Sequence, residues 1–217
     1  MIFNPETAEQ VALNLLKIKA IKLRPEKPFL WASGLYSPIY CDNRLALSYP
    51  EIRRFIRQEL TRAVRKHFPQ ADLIAGVATA GIPQGVLVAE TLELPFVYVR
   101  SEAKSHGMTN RIEGRIEKGQ TAVVVEDLVS TGKSSLAAVE ALRQAGVLIA
   151  GMVSSFTYGL PLADENFKKA DCRLISLSDY HHLIQAALNH HYIERSMLRS
   201  LESWREDPQK WSEQHRG

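Results

Sequence analysis

The stretch that decides the fold is TAVVVEDLVSTGKSS, residues 121–135. Residues 121–125 form a short run rich in β-branched side chains, which is typical of a strand buried in a parallel sheet. Glu126 and Asp127 then place two carboxylates at the C-terminal end of that strand, before a turn and a helix that begins near Lys133. Ligands of open α/β sheets bind outside the C-terminal ends of the strands, and a helix N-terminus at that place suits a phosphate. The stretch therefore predicts an α/β fold with an anion site.

The side chains of this turn restrict what the anion can be. Hydroxyls of Ser130, Thr131 and Ser134, together with backbone amides, can surround a phosphate, and Gly132 allows the backbone to approach it closely. Two neighbouring carboxylates would repel a bare phosphate, whereas a sugar can donate a hydrogen bond to each carboxylate and a divalent cation can bridge them. The stretch thus predicts a site for a sugar phosphate with Mg²⁺ nearby.

Two other interpretations of the turn fit its residues less well. Residues 132–134 match the end of the GxxxxGK[ST] motif of P-loop nucleotidases, but the first glycine of that motif falls on Asp127. A carboxylate there would oppose a triphosphate, so we expect no P-loop. An ordinary strand-to-helix turn with a capping Ser130 or Thr131 would leave the two adjacent carboxylates unexplained.

Length, charge and cysteine content narrow the class of protein. At 217 residues the chain suits one α/β domain, and its net charge of +3 is too small to indicate a nucleic-acid partner. Cys41 and Cys172 have no metal-ligand spacing and imply no disulfide, so a reducing cytoplasm is the default compartment. The N-terminus lacks a signal-peptide pattern, and the longest apolar run, residues 145–153, is too short to span a bilayer. We expect a cytoplasmic protein with no membrane and no nucleic acid as partner.

The rest of the chain alternates amphipathic helices with apolar strands, which is the order of a parallel α/β sheet. A hairpin is predicted over residues 29–40 with its turn at Ser33 and Gly34, and it precedes the main pattern as a separate flap or hood. The tail from Pro208 is expected to be frayed. Helices are predicted over residues 5–20, 51–68, 84–91, 134–145, 161–170 and 193–206, and strands over residues 72–77, 94–99, 147–157 and 172–177.

A long segment without helical or strand periodicity, residues 101–120, follows Arg100. Loops of this length inside a compact domain are uncommon and are usually functional. A solvated charged hairpin would explain the segment if it stood alone, but it adjoins the predicted sugar-phosphate site, where a cationic loop would serve as a lid for a polyanion. Its basic residues are Lys104, His106, Arg111 and Arg115.

Three motifs resemble one known family. Residues 126–134 resemble the phosphoribosyl pyrophosphate motif of type I phosphoribosyltransferases. Residues 29–40, with FLWASG and SPIY, resemble the hood hairpin of orotate phosphoribosyltransferases, and residues 100–114 resemble the catalytic loop of that family. The resemblance covers nearly the whole chain. It implies a single α/β domain with a type I phosphoribosyltransferase-like parallel sheet flanked by helices. Its parts are a small N-terminal hood over roughly residues 1–48, a core over 49–190 and a C-terminal helix over 193–206.

The resemblance also implies an activity. Members of the family transfer ribose 5-phosphate from phosphoribosyl pyrophosphate to orotate, which gives orotidine 5′-monophosphate and pyrophosphate in cytoplasmic pyrimidine synthesis. The reaction requires Mg²⁺, and the usual homodimer closes the loop of one subunit over the site of the other. Two alternatives stay open: a non-catalytic regulatory protein on the same fold, and a phosphoribosyltransferase for another base.

Site residues follow from the resemblance by position. Lys104, His106 and Asp127 are implied to be catalytic, and no residue is assigned to a metal. Orotate is assigned to Ser130 and Tyr40, and by a separate hypothesis, given below, to Arg44. The residues implied to bind phosphoribosyl pyrophosphate are Arg100, Lys104, His106, Glu126, Asp127, Leu128, Val129, Ser130, Thr131, Gly132, Lys133 and Ser134.

The chain departs from the family pattern by losing cations. Many members have lysine where this chain has Ala32, Ala80 and Ser101, and some have an arginine near Tyr158 that helps to hold orotate. Because a buried carboxylate needs a partner, we hypothesise that Arg44 takes over the orotate carboxylate.

Overall fold

The computed structural model describes residues 1–101 and 111–216 of the chain. The described strands are β1 (Ile21–Leu23), β2 (Phe29–Leu30), β3 (Tyr36–Ser37), β4 (Ile39–Cys41), β5 (Leu73–Val77), β6 (Phe96–Val99), β7 (Ile112–Glu113), β8 (Thr121–Val129), β9 (Leu148–Thr157) and β10 (Leu174–Asp179). The α-helices are α1 (Pro5–Lys17), α2 (Pro50–His67), α3 (Gly81–Leu92), α4 (Lys133–Gln144), α5 (Pro161–Lys169), α6 (Tyr180–Asn189), α7 (Leu198–Glu206) and α8 (Pro208–Gln214). Two 3₁₀ segments lie at Asn43–Ser48 and Arg195–Met197.

A six-stranded sheet organises the molecule, in the order β10-β9-β8-β5-β6-β7. Its strands are parallel except β7, which pairs antiparallel with β6. Strand β8 lies inside the sheet and is covered on both faces. Val123 and Val125 join the core beneath α1, α2, α3 and α6, while Val124 joins the core beneath α4 and α5. Because β8 is buried on both faces, its sequence is a continuous apolar run, which is the pattern that predicted a buried parallel strand.

The order of the strands creates a crevice beside β8. From β5 the chain moves to β6 on one side and then returns to β8 on the other, so β5 and β8 form the topological switch point of the sheet. The pairing of β8 with β5 stops at Val125, whereas its pairing with β9 continues to Val129. Residues beyond Val125 therefore have one unpaired edge, and open α/β sheets bind ligands at this place.

The extent of β8 corrects the predicted end of the strand at residue 125. The strand includes residues 126–129. The sequence had placed Glu126 and Asp127 after the end of the strand, and Leu128 and Val129 in the turn. The reason is tertiary, because β9 pairs with residues 126, 128 and 129 through Ser154, Phe156 and Thr157. Helix α4 begins at Lys133, as predicted.

The predicted hairpin over residues 29–40 is two separate ribbons. Strand β2 pairs with β3 around a turn at Gly34, and β4 pairs with β1 instead. Pro38 stands between β3 and β4, and a proline has no N–H with which to continue a ladder. Helix α1 packs against β10 of the large sheet and against helix α6. The division of the chain into a hood and a core stays a prediction.

The tail after Pro208 is not frayed, so that prediction was wrong. Asp207 caps α8 by accepting a hydrogen bond from the N–H of Lys210 at 3.0 Å. Trp211 is buried in the core, and the hydroxyl of Ser212 accepts a hydrogen bond from the N–H of Tyr36 at 2.8 Å. The tail is therefore ordered by its contact with the β2–β3 ribbon.

The segment predicted as one continuous loop contains β7, which the antiparallel pairing with β6 creates. Residues 102–110 lie outside the described residues. In the described part of the chain, no helix combines the length and the apolar character needed to cross a membrane.

Candidate active site

The first of two cavities at the switch point, the α4 cavity, has a volume of about 420 Å³. The ends of β5, β6 and β8 and the first turn of α4 surround it. The cavity is basic. Two of its charged groups are the guanidinium groups of Arg100 and Arg111, which flank residues 101–110 in the sequence. There the N–H of Arg100 donates to the carbonyl of Arg111 at 2.8 Å. The polar and charged side chains that line it are Arg100, Ser101, Arg111, Ser130, Thr131, Lys133 and Ser134.

The turn into α4 is shaped to meet an anion. Gly132 stands at the N-cap position with φ +79°, and no side chain caps the helix. A Cβ added at Gly132 would lie 2.6 Å from Cε2 of Phe167, so both the conformation and the space require glycine. The amide of Asn166 holds the turn by donating to the carbonyl of Thr131 at 2.9 Å. The N–H groups of the first helical turn therefore face the cavity, together with the positive end of the helix dipole.

The two carboxylates of β8 differ in their surroundings. Glu126 is buried, and its Oε2 accepts a hydrogen bond from the hydroxyl of Ser135 at 2.9 Å. Its Oε1 accepts a hydrogen bond from the N–H of Asp127 at 3.0 Å. Burial, and after it the charge of Asp127, raises the pKa of Glu126 to about 8. Burial also raises the pKa of Asp127, which is only partly buried in the crevice. Glu126 therefore holds a proton at neutral pH, which lowers the repulsion between the pair.

The second cavity, the aromatic cavity, has a volume of about 360 Å³. It shares Leu128 and Ser130 with the α4 cavity, so the two cavities adjoin at the end of β8. Trp31 stacks on Tyr158 with 5.5 Å between ring centroids and 24° between their planes. A planar, mostly apolar group fits such a wall. The remaining residues that line it are Leu30, Ala32, Tyr40 and Cys41.

Most of the predicted site residues meet at these two cavities. Tyr40 and Ser130 line the aromatic cavity. Val129 is buried in the core beneath α4, and its carbonyl is bonded to the N–H of Tyr158. Lys104 and His106 lie outside the described residues. The predicted residues that line the α4 cavity are Arg100, Leu128, Ser130, Thr131, Gly132, Lys133 and Ser134.

Arg44 lies outside both cavities. Its guanidinium pairs with Asp42 at 2.7 Å, and its side chain is 63% exposed. The ion pair raises the pKa of Arg44 and lowers that of Asp42. The proposed role of Arg44 on the orotate carboxylate therefore stays a prediction, and it would require this ion pair to open.

Several residues of the site were missed from the sequence. Tyr158 directly follows β9, and the C-terminal end of a parallel strand is itself a signal for a ligand-binding position. Arg111 is among the basic residues of the predicted lid, but the sequence does not assign it to the site. Trp31 belongs to the predicted hairpin and Cys41 directly follows it, but nothing in the local pattern indicates which of these side chains face a cavity.

Comparison with known proteins identifies the family. Residues 48–190 match the model of the phosphoribosyl transferase domain family. An orotate phosphoribosyltransferase from Cytophaga hutchinsonii is 55% identical over 203 residues, which is 94% of this chain and 97% of that protein. The chain belongs to the orotate phosphoribosyltransferase family.

Other relatives agree with this family. An orotate phosphoribosyltransferase from Listeria monocytogenes is 49% identical over 94% of the chain and 97% of its own length. The crystal structure of orotate phosphoribosyltransferase from Aeropyrum pernix is similar with a TM-score of 0.73 and 29% identity, over 85% of this chain and 99% of that one. The predicted fold class and the resemblance to the orotate phosphoribosyltransferase family are confirmed.

Proposed function

We propose that the protein transfers ribose 5-phosphate from phosphoribosyl pyrophosphate to orotate, with orotidine 5′-monophosphate and pyrophosphate as products. One observation supports this function above the others: a basic cavity at a helix N-terminus adjoins an aromatic cavity at Leu128, and the carboxylate pair of β8 directly precedes Leu128 in the strand. A phosphorylated sugar fits the first cavity, and a planar base fits the second. The names of the relatives select orotate as the base.

The first step of the proposed reaction is binding of the sugar phosphate. The hydroxyls of Ser130, Thr131 and Ser134 and the N–H groups of α4 would hold the 5′-phosphate, with Lys133 supplying positive charge. Asp127 and Glu126 would accept hydrogen bonds from the ribose hydroxyls. Because Glu126 is bonded to Ser135, the partly exposed Asp127 is the better placed of the two.

Bond exchange at C1′ of the ribose follows. A ring nitrogen of orotate forms a bond to C1′ and gives up its proton to the leaving pyrophosphate or to water. Pyrophosphate leaves with the electron pair of the broken C–O bond. Negative charge grows on the leaving group, so preorganised cations lower the barrier. Arg100 and Arg111 line the cavity where that charge would develop. Lys104 and His106, between them in the sequence, are proposed to add to this charge and to act in catalysis with Asp127.

Mg²⁺ is proposed as the cofactor. It prefers oxygen ligands and often shares them between one or two carboxylates and substrate phosphates. The described residues contain no group of three or more His, Cys, Asp or Glu side chains that could hold a metal by themselves. Asp127 fits as a single protein ligand, with the phosphate oxygens of the substrate as the others. When bound, Mg²⁺ would neutralise charge on the pyrophosphate.

A homodimer is proposed, in which the segment after Arg100 completes the site of the partner subunit. Helix α3 supports this proposal because it follows the switch-point strand β5 and leaves apolar side chains uncovered. Val86 is 44% exposed, and Ile82, Pro83 and Leu87 are half-buried. A cytoplasmic location is also proposed, and the free thiols of Cys41 and Cys172 are compatible with it.

The proposed function is tested by following the ultraviolet absorbance of orotate with the protein, phosphoribosyl pyrophosphate and Mg²⁺. We expect a loss of orotate signal that needs every component and that falls at least tenfold in Lys104→Ala, the size of effect typical of a lost transition-state contact. Lys118→Ala is the matched control, because this exposed lysine packs against Gly146 and lines neither cavity.

Two other outcomes would redirect the assignment. Turnover of a different base in a panel, with orotate inert, would indicate a phosphoribosyltransferase for that base. Binding of phosphoribosyl pyrophosphate without turnover of any base would indicate a regulatory protein on the same fold.

A further inference from the structure

The backbone carbonyl of Asp127 is held by a side chain from another part of the fold. The amide of Asn43 donates a hydrogen bond to this carbonyl at 2.8 Å, across 84 positions of the chain. Strand β5 does not reach the carbonyl, because its pairing with β8 stops at Val125. Asn43 is 3% exposed and begins the 3₁₀ segment Asn43–Ser48, shortly after β4. Its side chain therefore takes the place of a neighbouring strand at the open edge of β8.

A second hydrogen bond fixes the direction in which the Asn43 amide points. Its Oδ1 accepts a hydrogen bond from the thiol of Cys41 at 3.1 Å. Burial, and after it the charges of Asp127 and Asp42, raises the pKa of Cys41 well above its ordinary value, so the thiol keeps the proton that it donates. With Oδ1 turned to Cys41, the NH₂ group of Asn43 faces Asp127.

The 3₁₀ segment that carries Asn43 is itself anchored. Asp42 caps the segment by accepting a hydrogen bond from the N–H of Arg44 at 3.2 Å. The segment packs against α2 and β8, and the guanidinium of Arg53 on α2 donates to the carbonyl of Leu47 at 2.6 Å. Asn43 thus reaches β8 from a fixed support.

The backbone at Asp127 determines where the carboxylate of that residue points. The carboxylate of Glu126 is tied to α4 through the hydroxyl of Ser135 at 2.9 Å. Asp127 lies at the open edge of the strand, where Asn43 rather than β5 holds the main chain. A displacement of about 1 Å at a group that positions a substrate can reduce turnover on the order of 100-fold. The hydrogen bond from Asn43 can therefore matter to the reaction without touching a substrate.

We propose that Asn43 is a positioning residue, which orients the carboxylate of Asp127 toward the ribose of phosphoribosyl pyrophosphate. This inference rests on the proposed function, in which Asp127 accepts a hydrogen bond from a ribose hydroxyl. Asn43 is not among the described residues that line either cavity. Its effect on the reaction is therefore expected to pass through Asp127.

The test is a double-mutant cycle of Asn43→Ala and Asp127→Ala, with kcat/KM for phosphoribosyl pyrophosphate as the readout. In the wild-type background Asn43→Ala is expected to lower kcat/KM about tenfold or more, the effect of a displaced positioning group. In the Asp127→Ala background the same change should lower it less than about twofold, because effects that pass through one contact are not additive. Calorimetric binding of phosphoribosyl pyrophosphate with Mg²⁺ to the same set of proteins should show the same pattern in Kd.

Ser178→Ala is the matched control for the structural cost of a lost buried hydrogen bond. The Ser178 hydroxyl is buried and donates to the carbonyl of Ala8 at 2.7 Å, so it joins β10 to α1 as Asn43 joins the 3₁₀ segment to β8. Ser178→Ala and Asn43→Ala should both unfold at a lower urea concentration than wild type. Only Asn43→Ala should lose kcat/KM. Asn43→Leu keeps a branched side chain without the amide, and it should show the same loss of kcat/KM if Asn43→Ala does not fold.

The cycle separates positioning from a general structural role. Equal losses of kcat/KM in the two backgrounds would mean that Asn43 does not act through Asp127, and the inference would be overturned. An unchanged kcat/KM in the Asn43 variants would overturn it as well. Failure of wild type to turn over orotate would instead overturn the proposed function.

Discussion

The stability of Glu126→Gln relative to wild type is expected to rise with pH, because wild type loses stability through Glu126 and the variant does not. Glutamine has nearly the same shape and can still accept the hydrogen bond from Ser135, which is 2.9 Å from Oε2 of Glu126. The variant also loses the hydrogen bond from the N–H of Asp127 to Oε1, but that loss is the same at every pH, so only the missing proton equilibrium changes with pH. Burial and the charge of Asp127 raise the pKa of Glu126 from its ordinary value of 4.5 to about 8 in the folded protein. In the unfolded chain the side chain is in water and ionises near the ordinary value.

The sign and size of the effect follow from proton linkage. Between pH 4.5 and 8 the folded protein keeps the Glu126 proton that the unfolded chain has lost. The stability that this retained proton contributes is thus complete below the pKa of Glu126 in the unfolded chain. As the pH rises from there to the pKa in the folded protein, the free energy of unfolding falls by up to about 1.4 kcal/mol per pH unit. Over two units inside this window the loss is roughly 2 to 3 kcal/mol, against a total stability on the order of 5–15 kcal/mol.

The assay is urea unfolding of wild type and Glu126→Gln at about pH 5.5 and about pH 7.5, inside the linkage window, without substrate or Mg²⁺. The stability of the variant relative to wild type should rise by roughly 2 to 3 kcal/mol between the two pH values. Glu90→Gln, at an exposed position on α3, controls for the loss of one carboxyl group. A difference that stays constant with pH would mean that Glu126 is ionised in the folded protein, and the argument from burial would be refuted.

Two further changes test the α4 turn and the aromatic cluster. Gly132→Ala must adopt φ +79° with a Cβ 2.6 Å from the ring of Phe167, so we expect a loss of about 1–2 kcal/mol and a raised KM for phosphoribosyl pyrophosphate. Urea unfolding and steady-state kinetics measure both, and an unchanged KM would contradict the phosphate-binding role of the turn. Trp204→Ala empties a buried site that supports Trp31 and Tyr158, so we expect a loss of about 3–5 kcal/mol and a raised orotate KM. Thermal unfolding with the same kinetics checks this, and a loss below about 1 kcal/mol would show that the cluster does not support the cavity.

The α4 turn was predictable because its chemistry is local. A glycine that can adopt a left-handed conformation, flanked by hydroxyls and preceded by a buried strand, predicts a strand-to-helix turn without reference to the rest of the chain. Helix α4 accordingly begins at Lys133, near which its start was predicted. The start of α1 is equally local, since Asn4 accepts a hydrogen bond from the N–H of Thr7 at 2.8 Å and Pro5 occupies the first turn.

Elements that depend on a distant partner were mispredicted. Strand β8 extends to Val129 because β9 provides a partner as far as Thr157. The tail after Pro208 is helical because Trp211 is buried and Ser212 bonds to Tyr36, which lies 176 positions earlier. Neither contact leaves a periodic signal in the segment itself, so a local pattern could not predict it.

The sequence by itself determined the α/β class, the strand-to-helix turn before α4 and, through three motifs, the family. Each depends on neighbours in the chain, whose side-chain types and spacing are visible in the sequence. Only the tertiary structure decided the aromatic cavity. Trp31, Tyr158 and Trp204 meet there from the N-terminal ribbons, the end of β9 and helix α7. Only packing brings residues so far apart in the chain together.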